Sequence, residues 1–316
     1  MTRNTPNLQP IALIGANSRI GPALIAEVEG STLFTLTILQ RPASRPPHTT
    51  SPSTKLVTLP SDLTAPSARS ELVSALKGHT ALISALPGSS VDLHKAIADA
   101  CITASIPRFI PADYGSVDSA DPVVAALVPL YKQKTAVREY LTELTRQHPH
   151  FSWTSLVCGH FFDYGLDTEL LMFNVRAATA EIFDGGNVKW SASTLKQIGR
   201  GVVGIFGALE ETKNKKLYMQ SFLTTQNEVL AALEKVSGKK FEVTQLRSGE
   251  YIKEKKKRLD QGGEDQAEVT EQLVAVLGIT RANWTSEKEF ANELLGLKDE
   301  DVEEEVRRTY EKLIKA

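Results

Sequence analysis

Residues 10–16, PIALIGA, form a short apolar run that closes near a glycine; a polar NSR follows, and IGPALIAEVEG then repeats its apolar positions at helical spacing. This order predicts strand, turn, helix. The β-rich run LFTLTIL at 33–39 leads into a loop rich in Pro, Ser and Thr, and KLVTL at 55–59 predicts a third strand before a helix over about 66–77. ALISAL at 81–86, a helix near 90–104, RFI at 108–110, a helix over roughly 127–147 and FSWTSLV at 151–157 complete the first half. These strands are nearly continuous apolar runs rather than alternating ones, which predicts a parallel sheet covered on both faces. Six of them joined by helical crossovers predict an α/β chain built on a doubly wound parallel sheet of the Rossmann type.

The second half is less regular. EIFDGGNVKW predicts a hairpin turning at Gly185-Gly186, LKQIGRGVVGIFGALEE a helix, and KLYMQSF a returning strand. Residues 226–237 and 264–277 have helical spacing, and between them KEKKKRLDQGGEDQ is a charge run, read as a solvated helix face or a mobile loop. The acidic tail KDEDVEEEVRRTYEKL receives the same reading.

Composition narrows the class. With 316 residues, 41% hydrophobic and 23% charged, the chain is long enough to bury a large core or two smaller ones. Lys plus Arg number 36 against 38 Asp plus Glu, and a net charge of −2 supplies no general pull toward nucleic acid or an anionic membrane. Cys101 and Cys158 are too few for a disulfide scaffold, and no Cys/His cluster has metal-ligand spacing, so no metal is expected. The six scattered histidines read as surface or capping residues. The polar start MTRNTPNLQP lacks the apolar core of a signal peptide, and no apolar run approaches the roughly 18 residues of a membrane span, so the expected location is cytoplasmic.

Candidate chemistry begins at the first turn. Gly15-Ala16-Asn17-Ser18-Arg19-Ile20-Gly21 lies between the first strand and the first helix, where backbone N–H groups and a helix N-terminus suit a pyrophosphate. Gly15 supplies the tight turn and Gly21 the close packing of helix on strand. Ser18 occupies the place of the middle glycine; its side chain either crowds the diphosphate or donates a hydrogen bond to it. After the second strand the sequence reads Ile38-Leu39-Gln40-Arg41-Pro42, with Arg41 where a carboxylate would accept from a ribose 2′-hydroxyl. A guanidinium there favours a 2′-phosphate and can stack on adenine, so NADP(H) is expected over NAD(H), with Arg19 and Arg45 as possible further cations.

At this point the chain resembles the NmrA-like branch of atypical short-chain dehydrogenases, including the isoflavone reductase and phenylcoumaran benzylic ether reductase group. Besides the turn and Arg41, the likeness rests on Ile83-Ser84-Ala85-Leu86-Pro87-Gly88, on Arg108-Phe109-Ile110-Pro111-Ala112-Asp113-Tyr114-Gly115, and on Lys134 within KTAVREYL. It continues through WTSLVCGHFFDYGL, whose GHFFDYG resembles fungal members, DGGNVKWSASTLKQIGRGVVGIF and QNEVLAALEKVSGKKFEV. The resemblance implies an NADP-binding domain over 1–158 with a return segment near 199–222, and a smaller C-terminal α+β substrate domain over 159–316, with a cleft between them.

The resemblance also implies a site. Ala85, Leu86, Pro87 and Ala112 would line the cofactor, Cys158, Gly159 and Phe161 would approach the nicotinamide, and Lys134 would lie near the nicotinamide ribose and the substrate. A hydride delivered to carbon leaves negative charge that needs a proton donor or a cation, and Lys134 can be either, or can instead bond the ribose hydroxyls without transferring a proton. Burial near the nicotinamide would lower its pKa. Tyr131 and Lys134 are three apart, so the Tyr-x-x-x-Lys pair of ordinary short-chain dehydrogenases is absent. Tyr114 and His160 would orient a substrate oxygen, and Phe162 and Tyr164, with Phe161 and Met172, would suit an aromatic substrate or form core. The expected function is an NADPH-dependent reductase of a small aromatic or unsaturated metabolite, a monomer or homodimer whose partner is that small molecule. The alternative is a non-catalytic NADP(H)-sensing regulator that binds a protein, as the family's namesake corepressor does.

Overall fold

In a computed structural model the described residues are 9–88 and 90–315; the polar start discussed above lies largely outside them. Along the chain run β1 (Gln9–Ile14), α1 (Gly21–Gly30), β2 (Phe34–Gln40), β3 (Lys55–Thr58), α2 (Arg69–Leu76), β4 (Ala81–Ser84), α3 (Val91–Thr103) and β5 (Arg108–Ile110). They are followed by α4 (Pro122–Leu127), α5 (Pro129–Gln147) and β6 (Ser152–Val157). The helix expected over 66–77 opens as a 3-10 turn, Pro66–Ala68, before α2. The one expected over 127–147 is α5, set off from α4 by Val128 in an extended conformation ahead of Pro129, as the residue before a proline tends to be.

The remaining elements are β7 (His160–Phe161), α6 (Phe162–Asp167), β8 (Phe173–Asn174), β9 (Thr179–Phe183), β10 (Trp190–Ser193), α7 (Leu195–Ile205), β11 (Lys215–Tyr218) and β12 (Phe222–Thr224). Then come α8 (Gln226–Ser237), β13 (Glu242–Leu246), α9 (Ser248–Gln261), α10 (Gln266–Arg281) and α11 (Val302–Lys315). Among the described residues no helix is long and apolar enough to cross a membrane.

The chain divides into two compact units. Among the described residues, one comprises those up to Asp113, Gln133–Ser155 and Ile198–Leu217; the other comprises Tyr114–Lys132, Leu156–Gln197 and those from Tyr218 onward. The first is organised by a seven-stranded parallel sheet in the order β11-β6-β5-β4-β1-β2-β3. Ile11 to Leu13 and Ala81 to Ile83 have no exposed surface, because helices cover both faces, and this is why the sequence shows apolar runs without alternation. The seventh strand, β11, joins the six read from the first half: Asn214 N donates to Trp153 O, and Met219 N to Val157 O. β1 lies between β2 and β4, so the chain winds outward through β2 and β3 and then returns to the other side of β1. That reversal makes a switch point at the carboxyl ends of β1 and β4, where α/β sheets bind ligands.

The second unit holds two small sheets, β12-β10-β7 and β13-β9-β8. The hairpin expected at Gly185-Gly186 is absent: β10 pairs with β12 and β7, whereas β9 pairs with β8 and β13. The cause is the start of α8. Gln226 Oε1 accepts from Phe183 N at 2.8 Å, and Asn227 Nδ2 donates to Gly185 O at 2.8 Å, so the backbone groups that a hairpin would use are taken by side chains. The charge run is the solvated helix α9, with Lys255 as its buried residue, lying 4.8 Å from the Tyr251 ring centroid. The acidic tail is α11, solvated on one face and burying Glu305, Val306, Thr309 and Leu313 on the other.

Candidate functional site

At the switch point the loops after β1 and β4 meet. Gly15 has φ +92°, and a Cβ built on it would stand 2.6 Å from Ala85 C and 2.8 Å from Leu86 N, so this position admits glycine alone without rearrangement. A Cβ on Gly21 would come within 2.1 Å of Ala16 O, so the first turn of α1 presses directly on the loop. These are the tight turn and close helix approach that a pyrophosphate turn requires. Within the protein Ser18 Oγ accepts from Gly21 N at 3.1 Å at the start of α1, a bond that uses the oxygen and not the hydroxyl hydrogen. Asn17 Nδ2 donates to Arg45 O at 2.7 Å and ties the loop between β2 and β3 to the turn. Arg19 and Arg41 are exposed, Arg41 directly after β2, and Ile20 is buried beneath the turn. The residues therefore fit a dinucleotide whose diphosphate rests on 15–21.

A second group lies beside this turn in the same unit. Lys134, on α5, has its side chain 11% exposed; Nζ donates to the backbone oxygen of Asp113 and lies 3.9 Å from Asp113 Oδ1. Its stem runs over the loop after β4, since a Cβ on Gly88 would be 3.1 Å from Lys134 Cε. Asp113 is itself buried; Ser155 Oγ donates to its Oδ2, and Arg138 Nη1 is 3.6 Å from the same oxygen. Lys134 and Arg138 are four apart, which puts both on one face of α5 above this carboxylate. Ala85 and Ala112 are buried, Leu86 is half-buried and Pro87 exposed, so the two loops offer backbone more than side chain.

His94 was expected at the surface and is instead buried in α3, with Nε2 3.2 Å from Pro87 O. A carbonyl only accepts, so Nε2 carries the proton. Burial holds the imidazole below its usual pKa, and the Lys134 ammonium pushes in the same direction. His94 and Arg138 are not singled out in the sequence, and Asp113 only as part of the RFIPADYG segment. Asp113 stood within the RFIPADYG segment and Arg138 one helical turn from Lys134, both readable; nothing local marked His94.

In the second unit Tyr114 is buried at φ +39°, a conformation that costs a non-glycine residue energy. Gly159 has φ +69°, and a Cβ there would meet Ser191 O at 2.1 Å. His160 belongs to the core. It is 1% exposed, Nε2 donates to Ala275 O at 2.9 Å, the ring packs edge-on against Trp190, and burial pushes its pKa down to about 4. Phe162 is likewise core, edge-on to Phe222 at 4.8 Å between centroids. These two placements correct the expectation of substrate contact: both rings are enclosed by protein. Phe161 and Tyr164 are half-buried and remain able to meet a ligand. Tyr131 is buried with its hydroxyl 2.9 Å from Ser116 Oγ.

Comparison with known proteins follows the same lines. The model of the NmrA-like family matches residues 8–294. An oxidoreductase of Aspergillus flavus, aprR, is 30% identical over 229 residues, covering 72% of this chain and 74% of its own. Among solved structures, AtPrR2 with NADP+ and (+)-pinoresinol is similar with a TM-score of 0.73 at 17% identity, over 96% of this chain and 99% of that one. An isoflavone reductase gives a TM-score of 0.68 at 19% identity, over 95% and 99%. At these identities the structural likeness speaks to the fold.

Proposed function

The chain belongs to the NmrA-like family, and from that premise we propose that it is an oxidoreductase, an NADP(H)-dependent reductase of a small aromatic or unsaturated metabolite. The observation that carries this reading is the Gly15 turn, closed to any side chain by Ala85 at the switch point and followed after β2 by Arg41. The oxidoreductase aprR and the NADP+ bound by AtPrR2 support it.

In this reading residues 15–21 hold the diphosphate, with Ser18 contributing its hydroxyl hydrogen while its oxygen accepts from Gly21 N. Arg41 receives the 2′-phosphate. The loops carrying Ala85 to Pro87 and Ala112 flank the nicotinamide half. Bound there, NADPH supplies a hydride. Lys134 holds a proton at Nζ on a stem fixed by Gly88 and the Asp113 carbonyl, and delivers it to the substrate atom that becomes negative, so that hydride and proton together complete a two-electron reduction. Phe161 and Tyr164 offer flat apolar surface to an aromatic substrate.

Calorimetric titration of the purified protein with NADPH, NADP+, NADH and NAD+, repeated on Arg41→Ala, tests the reading. A charge-assisted contact to the 2′-phosphate contributes about 1.5–3 kcal/mol, so both phosphorylated forms should bind at least about tenfold tighter, and Arg41→Ala should remove most of that margin. Equal affinity of the phosphorylated and unphosphorylated forms would overturn the choice of cofactor. Failure of all four to bind would overturn the reductase itself.

A further inference from the structure

We infer that one water molecule is bound beneath Lys134, between His94 and Asp113, and that His94 acts through it as a positioning residue for the lysine.

Three observations lead there. A pocket of about 10 Å3 lies among His94, Asp113, Lys134 and Arg138, walled also by the backbone of Gly88 and by the apolar Pro111, Ala112 and Val137, about the space that a single water needs. Two buried acceptor atoms on this lining have no hydrogen-bond partner in the protein: His94 Nδ1 and Asp113 Oδ1. His94 is 2% exposed and Asp113 5%, so bulk solvent does not satisfy them. Because Nε2 of His94 is committed to Pro87 O, Nδ1 is a bare lone pair, and an ionised carboxylate oxygen is also an acceptor. Two unmet acceptors on residues around one small space are both satisfied by a molecule that donates twice. Water does so and then presents its own lone pairs to the cations on the same wall, Lys134 and Arg138. Leaving such buried acceptors unmet costs about 1–3 kcal/mol each, more than the roughly 0–2 kcal/mol of immobilising a water.

The consequence for Lys134 depends on the proposed reductase reading, whereas the water site does not. A water accepting from Nζ solvates the ammonium and holds its remaining hydrogens in fixed directions, which keeps the lysine protonated until the substrate calls for the proton. The charged groups around His94 are Lys134 and Arg138 from α5 and Asp113 after β5. On its own helix Lys95 lies over Tyr140, whose hydroxyl donates to Asp99. Arg69 and Glu71 of α2, packed on α3, are exposed.

The test is a high-resolution crystal structure of the full chain together with pH profiles of the reduction. In the wild type a water peak should lie within hydrogen-bond distance of His94 Nδ1 and Asp113 Oδ1. It should vanish in His94→Phe and persist in His94→Gln, whose amide can both donate to Pro87 O and accept from the water. The basic limb of the rate profile should move down by about half a pH unit or more in His94→Phe and return in His94→Gln, a rescue that simple packing would not produce. An empty pocket in the wild type, or a basic limb unmoved in His94→Phe, would overturn the inference. Should Lys134→Met keep full turnover, the role of the lysine fails, and the water peak still decides the site.

Discussion

The enclosure of His160 can be tested by titration. In the unfolded chain its pKa is near 6.5; in the folded chain burial, partly opposed by the bond to Ala275 O, holds it at about 4. Below pH 6.5 the unfolded chain therefore binds a proton that the folded chain refuses, and stability present above that pH is lost as pH falls toward 4. The 2.5-unit interval, at 1.36 kcal/mol per unit, amounts to about 3 kcal/mol. The perturbation is His160→Gln, which keeps an N–H for Ala275 O and removes the titration. Urea unfolding of both proteins at pH 7, 6, 5 and 4, followed by tryptophan fluorescence with Trp190 beside the ring, gives the difference in stability at each pH. His79 and His94, also shifted down, are common to both proteins and cancel. The wild type's advantage over the variant should shrink by about 3 kcal/mol between pH 7 and pH 4. A difference that stays constant across the series would mean that solvent reaches the ring, and His160 would again be eligible to meet a substrate.

Two further outcomes follow from the first unit. Gly15→Ala places a side chain at φ +92° and a Cβ against Ala85, a conformational cost of roughly 1–2 kcal/mol before any displacement of the loop, so calorimetry should find NADPH binding weakened more than tenfold; affinity within twofold of wild type would refute the turn. Lys134→Met keeps a stem over Gly88 and removes the amine, so on a substrate found by screening NADPH oxidation kcat should fall by about 100-fold or more, with NADPH affinity changed only a few-fold; a large loss of NADPH affinity with kcat preserved would instead assign the lysine to the ribose.

How far the sequence reveals this molecule depends on the distance over which each feature is decided. The strands β1 and β4 are legible because burial on both faces writes an apolar run into a few adjacent residues, Ile11 to Ile14 and Ala81 to Ile83. The turn is legible for the same reason, being local. The false hairpin at Gly185-Gly186 has local glycines that fit a turn, but Gln226 and Asn227, about forty residues on, decide where the strands go. His160 follows a buried strand, and what encloses it is α10: a Cβ on Gly278 would stand 2.1 Å from Nε2. Asp113 is visible as a letter in a recognisable segment, yet its position under Lys134 and Arg138 arises from the packing of α5, 21 residues later. His94 meets the loop after β4 only because α3 returns over it.

The interleaving of the two units bears on how the protein is made. Vectorial synthesis delivers β6 long before β11, so the outer edge of β6 stays unpaired while some sixty residues are added, a period in which a strand edge can pair with another nascent chain. Arg108 waits with it. Its guanidinium already has Ser152 and Thr154, but its contacts to Leu209 O and Thr212 arrive only with the return segment. Once β6 has left the ribosome, and until β11 follows it, the nascent chain would thus hold a sheet complete enough to collapse and still open along one side, with a cation at its margin that keeps that side wet until the last strand closes it.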